Sequence, residues 1–244
     1  MNALVGTELL KLRTLRSPRW IAAGTVVLAG GLGVANARLA TADGETIAIT
    51  ELARAPMQPA WLAVVVLAVL ASAGEFQHRT IRTTLFAAPR RLRVLLAKTV
   101  SAGLVGTAVV AVAAAATVAS GLVTGAASAA EITAGSGADL GRVAAGICLG
   151  GVWAIVATAL GLLTRSTALA LVAVLLWRFV GEGVVPVVLR DPEAYAWTPS
   201  GAGDALVGLG GDQLPAAGAA LLLAVYVLAM CAAAGTLFVR RDPA

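Results

Sequence analysis

The hydrophobic pattern of this chain consists of long apolar runs, with neither the alternation of half-buried strands nor the short amphipathic stripes of a soluble bundle. Six runs stand out, near residues 20–37, 57–75, 99–125, 142–164, 167–189 and 214–239. The clearest lies within residues 99–130, which contain no charged side chain. A bilayer core about 30 Å thick is crossed by roughly 20 apolar residues in a helix, and a soluble fold has no need of a longer run. The expectation is an all-α membrane protein, a single transmembrane domain over 1–244 with six transmembrane helices. The second run is the weakest, with Pro56 and Pro59 near its start, where proline is tolerated. The fourth and fifth are separated only by Leu163-Thr164-Arg165-Ser166-Thr167, a tight helical hairpin.

Composition agrees. The 244 residues are 59% hydrophobic and 13% charged, where a soluble domain carries about a quarter charged residues. With the N-terminus inside and six spans, the inner segments hold 13 of the 18 basic residues and 3 of the 13 acids. This positive-inside asymmetry sets the orientation, with both termini cytoplasmic. It also accounts for a pI near 10.0 without a nucleic-acid partner, since the basic residues lie beside anionic lipid headgroups. Arginine outnumbers lysine 16 to 2 and alanine is abundant, which fits a GC-rich bacterium and its cytoplasmic membrane.

Residues 3–16 read as an interfacial helix. Leu4, Val5, Leu9, Leu12 and Leu15 share one arc, flanked by Lys11 and Arg13, whose stems can snorkel. The pattern has flaws: Glu8 and Arg16 fall in the arc and Leu10 falls outside it. The basic lead, the apolar stretch 21–35 and Ala35-Asn36-Ala37 have the outline of a signal peptide. The lead is long for one and carries Glu8, so the segment is read as a retained first span.

The inner segment 74–98 is too long and mixed for a simple turn. Ile81, Leu85 and Phe86 sit at helical spacing, with Arg79, Arg82 and Thr83 around them. A short amphipathic helix ending before Pro89 is expected, because a residue ahead of proline disfavours helical geometry. It offers an apolar ridge to a partner protein, or a basic surface to lipid.

Catalytic motifs are weak. A phosphate loop needs Gly-x-x-x-x-Gly-Lys-Ser/Thr, and the one Lys-Thr pair, Lys98-Thr99, lacks both glycines. The chain is therefore expected not to be an enzyme. Gly201-Ala202-Gly203-Asp204 has the Gly-x-Gly-Asp of intramembrane aspartyl proteases, without a second aspartate in any span. His78 has no cluster of metal ligands, and neither a metal nor another cofactor is expected on this chain. Cys148 and Cys231 read as buried, unpaired thiols. Gly121/Gly125 and Gly146/Gly150 have the spacing that lets helices approach closely, here most simply inside the chain. Arg178 and Glu182 form an intramembrane charge pair at i, i+4. The pair either sits near the outer interface, with Arg178 snorkelling, or lines a path or a subunit seam.

Taken together, Glu75, Thr80-Ile81-Arg82-Thr83-Thr84, Pro89-Arg90-Arg91 and Lys98 resemble the inner loop of ABC-2 type (type V exporter-like) ABC transporter permease subunits, especially actinobacterial ones. Residues 8–18 resemble the opening interfacial helix of that family. Leu176-Trp177, Glu182 and Trp197-Thr198-Pro199-Ser200-Gly201 resemble its fifth span and last outer loop. The similarity runs along the whole chain. Arg79 departs from it, since the family usually has glycine there. The resemblance implies an ABC-2 permease fold, pairing with a second permease copy as a homodimer, and two copies of a cytoplasmic ABC ATPase that hold the ATP and magnesium. It assigns ATPase coupling to Glu75, Phe76, Arg79, Thr80, Ile81, Arg82, Leu85 and Phe86. It also implies short re-entrant helices in the last outer loop, residues 192–212. A secondary transporter and a non-transporting membrane scaffold are the alternative readings.

Overall fold

The computed structural model describes residues 2–14, 16–77, 80, 91–127, 132–209 and 214–240. Six of its helices are long and apolar enough to cross a membrane: Arg16–Asp43, Ile49–Gln77, Arg91–Ala127, Gly137–Thr164, Thr167–Leu189 and Ala216–Phe238. The chain is an all-α, multi-pass membrane protein.

In chain order the elements are α1 (Asn2–Thr14), α2 (Arg16–Asp43), a short strand β1 (Ile47–Ala48), α3 (Ile49–Arg54), α4 (Met57–Gln77) and α5 (Arg91–Ala127). Then come β2 (Ile132–Thr133), α6 (Gly137–Thr164), α7 (Thr167–Leu176), a π-helical turn Trp177–Gly181 and α8 (Glu182–Leu189). A 3-10 helix (Pro192–Trp197), α9 (Pro199–Val207) and α10 (Ala216–Arg240) complete the chain.

The helices outrun the apolar segments that announce them. Helix α5 has 37 residues, about 55 Å at 1.5 Å per residue, well beyond the bilayer core. Its first turns carry Arg91, Arg93 and Lys98: charge marks where hydrocarbon ends, not where the helix ends. The hairpin between α6 and α7 is closed by Arg165 in the left-handed region (φ 54°) and by the Ser166 hydroxyl, which accepts from Leu169 N. At the other end of α6, Ser136 and Asp139 form a reciprocal capping box.

The core lies where α4, α5 and α6 meet, around Ala60, Val64, Val110, Leu149 and Ala157. Close approach there depends on glycine. A Cβ at Gly106 would lie 2.6 Å from the Gly150 carbonyl oxygen and 2.7 Å from Ala154 Cβ. A Cβ at Gly146 would strike Met57, and one at Gly121 would meet Leu52. These glycines serve packing inside the chain. Trp61 donates to the Gly146 carbonyl at 3.0 Å, stitching α4 to α6. Cys231 is half-buried, but Cys148 is exposed on the outside of the bundle, contrary to the sequence expectation. In a membrane helix an apolar residue suits lipid as well as core, so hydrophobicity alone does not bury it.

Outside the helices, β1 and β2 pair in parallel, with Ile47 opposite Ile132. This joins the connection after α2 to the connection after α5.

Candidate functional site

Two clusters of polar side chains interrupt the apolar bundle, one at each side of the core. The first lies at the end where α1, the end of α4 and the start of α5 converge. Lys98 is 3% exposed. Its ammonium donates to Glu75 Oε1 at 2.6 Å and to Glu8 Oε2 at 3.0 Å. Lys11 donates to Glu8 Oε1 at 2.9 Å and to Glu75 Oε1 at 3.2 Å. Two carboxylates and two ammonium groups thus meet in one knot. Glu8 sits on the apolar arc of α1 because that arc faces this knot; its break in the amphipathic pattern marks a buried partner. Burial pushes the Glu8 carboxyl up, but Lys98 and then Lys11 outweigh it, holding it below its ordinary 4.5. Burial likewise opposes the charge on Lys11, and Glu8 and Glu75 more than offset it, raising Lys11 above 10.5. Among the described residues, Glu75 Oε2 is buried with no hydrogen-bond partner.

The end of α4 is held on its other sides too. Phe76 packs edge-on against Phe238 of α10, with ring centroids 6.5 Å apart, and the Arg165 guanidinium lies 5.3 Å above its ring. Thr167 at the start of α7 donates to Gln77 Oε1 at 2.9 Å. Arg91, the first residue of α5, donates to the Phe238 carbonyl at 3.5 Å. Both roots of the connection between α4 and α5 are therefore tied to α1, α7 and α10.

Of the residues that the resemblance assigns to ATPase coupling, Glu75 and Phe76 turn inward into these contacts. Thr80 is exposed. Arg79, Ile81, Arg82, Leu85 and Phe86, with the amphipathic helix expected there, lie outside the described residues. Sequence reasoning placed Lys98 among solvated inner basic residues. Only its position on a helix facing two acids reveals its burial.

The second cluster surrounds Glu182, which is fully buried. Its Oε2 accepts from Arg178 Nη1 at 3.4 Å, across the π-turn, while its Oε1 accepts from the Ser200 backbone N–H at 3.1 Å. Glu182 thus caps the first turn of α9, where the Thr198 hydroxyl also accepts from Gly201 N at 3.1 Å. The π-turn, which the apolar pattern gave no sign of, widens the helix by one residue just before Glu182. Tyr195 donates to Asp204 Oδ2 at 2.8 Å. Burial, and then the Asp204 carboxylate, push its phenol up to about 12. Tyr226 of α10 donates to the Trp197 carbonyl at 2.9 Å. These bonds fold the segment 192–207 back onto the bundle as two short helices.

Two cavities flank the π-turn. One of about 380 Å³ lies between α6, α7 and α10, walled by Trp153, Trp177, Leu223 and Met230. The other, of about 230 Å³, lies between α4 and α7, with Trp61, Phe179 and Arg178 in its wall. Trp153 and Val174 line both. Among the described residues no group of three or more His, Cys, Asp or Glu side chains converges as a metal site.

Six apolar spans and two partly buried charge clusters that join helices define a polytopic membrane protein. No protein-family model matches the chain, and no curated protein matches it either.

Proposed function

We propose that this chain is the transmembrane permease subunit of an ATP-binding cassette exporter of the ABC-2 type, with its ATP hydrolysed on a partner chain. The observation that carries the reading is the knot of Lys98, Glu8, Glu75 and Lys11. It joins the N-terminal helix to both roots of the connection between α4 and α5. A loop that passes a push from a soluble ATPase to membrane helices has to be held stiffly at its base, and a buried ion network does this. The sequence of that connection, with Ile81, Leu85 and Phe86 as an apolar ridge among arginines, supplies the surface to be pushed.

In this reading the basic end faces the cytosol of a bacterial cell, and two permease copies pair across the membrane. Two ATPases dock on residues 76–86 of the two copies. Glu75 and Phe76 act from behind, holding the root of the loop, while Arg79, Thr80, Ile81, Arg82, Leu85 and Phe86 meet the partner. ATP favours the closed ATPase dimer, and that difference in affinity biases the permease between inward-open and outward-open states. The short helices at 192–207 narrow the outer exit.

The test is to look for a neighbouring gene that encodes a soluble ATPase with a phosphate loop and to co-express its product with this chain. The ATPase is expected to co-purify, and to be lost when Ile81, Leu85 and Phe86 are replaced by aspartate. Unchanged binding of the ATPase to that variant rules out the docking surface. Transport in vesicles driven by an ion gradient without ATP rules out the exporter and favours a secondary carrier.

A further inference from the structure

We propose that the two cavities astride the π-turn form one binding site for an amphiphile that carries an oxyanion, with Arg178 taking the anionic group. This stands on the membrane fold and the cavity geometry, not on the exporter reading.

The larger cavity, about 380 Å³, falls in the range of roughly 300–1,000 Å³ that small-molecule pockets occupy. Its walls are apolar and aromatic. The Tyr226 hydroxyl, their polar group, is already spent on the Trp197 carbonyl. This cavity suits hydrocarbon and offers nothing to a charged headgroup. The smaller cavity differs, since Arg178 and Gln58 stand in its wall. The shared side chains Trp153 and Val174 make the two cavities neighbours. The consecutive residues Trp177 and Arg178 point one into each. An apolar body in one and an anionic group in the other is the occupant whose chemistry matches both.

Charge balance favours an anion. A guanidinium carries five N–H donors. Arg178 gives one of them to Glu182, at the long distance of 3.4 Å, and its side chain is still 28% exposed. Glu182 is shared: its other oxygen serves the Ser200 amide at the start of α9, which bears about half a positive charge from the helix dipole. One carboxylate thus divides its two oxygens between a guanidinium and a helix N-terminus, and Arg178 holds only one of them. A carboxylate, phosphate or sulfate group could take the free donors of Arg178 in the planar, two-pronged geometry that suits guanidinium.

Tryptophan fluorescence tests this on the full chain in an uncharged detergent, because Trp61, Trp153 and Trp177 line the cavities. Trp20 and Trp197 are not among the residues that line them and are replaced by phenylalanine to lower the background. The probes are dibrominated octadecanoic acid and the dibrominated alcohol of the same chain. The ionised acid is expected to quench saturably, at a concentration at least roughly tenfold below that of the alcohol. Arg178→Gln should abolish this preference, and Arg178→Lys should keep part of it. Val156→Phe, which narrows the larger cavity, should weaken both probes together. Equal quenching of the parent protein by acid and alcohol overturns the proposal without recourse to any variant, and so does quenching that never saturates. Displacement of the probe by phosphatidylglycerol assigns the site to a bilayer lipid. Displacement by octadecanoate alone assigns it to a single-chain amphiphile. Either result supports an oxyanion site, and failure of both to displace the probe overturns it.

Discussion

Lys98 donates to Glu75 at 2.6 Å across 23 residues of chain, and this one ion pair closes the neck of the connection between α4 and α5. Lys98 is buried and compensates two carboxylates at once, so its loss leaves both to the half-exposed Lys11. Removing one partner of a buried pair typically costs about 3–5 kcal/mol, far more than the ~0–1 kcal/mol of an exposed pair. Lys98→Met is expected to lower the thermal unfolding midpoint in mild detergent steeply. Adding Glu8→Gln and Glu75→Gln to it should recover part of the loss, because both buried carboxylate charges are then removed and the charge that remains, on Lys11, is half-exposed. If the triple variant is less stable than the single one by the sum of its parts, the knot is not a coupled unit.

The attachment of α1 should depend on pH in two windows. The Glu8 carboxyl is held below 4.5 in the folded chain. Its contribution is therefore complete above that value and is lost as pH falls through the lower folded pKa. Lys11 is raised above 10.5, so its contribution is complete below that value and is lost as pH rises through the higher folded pKa. Amide exchange along α1 should stay slow between these limits and quicken beyond either. The Glu8→Gln variant should show no acid limb.

The Tyr195 phenol should ionise late. Tyr195 is pushed from 10.0 to about 12 by burial and then by Asp204. What it contributes to stability is present below pH 10 and is lost as pH rises through 12. An ultraviolet titration should resolve a late phenolate transition for Tyr195. Asp204→Asn should move that transition downward, though not fully to 10, since burial remains. A transition unmoved by Asp204→Asn would mean that the 2.8 Å bond contributes nothing.

Glycines within the helices should differ sharply in tolerance. A side chain at Gly106 meets the Gly150 backbone and Ala154, whereas one at Gly31 meets nothing within 4 Å. Gly106→Val is expected to cost about 1–3 kcal/mol or more by forcing α5 from α6. Gly31→Ala is expected to be neutral or to stabilise α2 by up to about 1 kcal/mol. Unfolding midpoints of the two variants, measured side by side, check the contrast.

The spans were legible because hydrocarbon imposes one demand on every residue that crosses it, and runs such as 99–130 meet it without exception. The hairpin at 163–167 was legible for the same reason: two apolar runs with five residues between them leave little choice. The partners of the charges were not. Glu8 appeared as a flaw in an amphipathic arc, and Lys98 as one more basic residue of the inner segment, since neither reveals its partner without the crossing of α1, α4 and α5. Arg178 and Glu182 announced themselves by spacing, but Ser200, the second partner of Glu182, arrives from the first turn of α9, 18 residues away. The π-turn and the β1–β2 pair left no signal in composition. Backbone bonds of two residues each are made wherever the helices happen to bring two connections side by side.

Helices α2 and α5 are fastened three times. Thr117 donates to the Ala29 carbonyl, Ser120 donates to the Gly30 carbonyl, and the strand pair ties the segments that leave them. Such a triply fastened pair resists sliding of one helix past the other. The fifth span has only 17% of its apolar window covered by the rest of the chain, so most of its surface is left to lipid or to another chain.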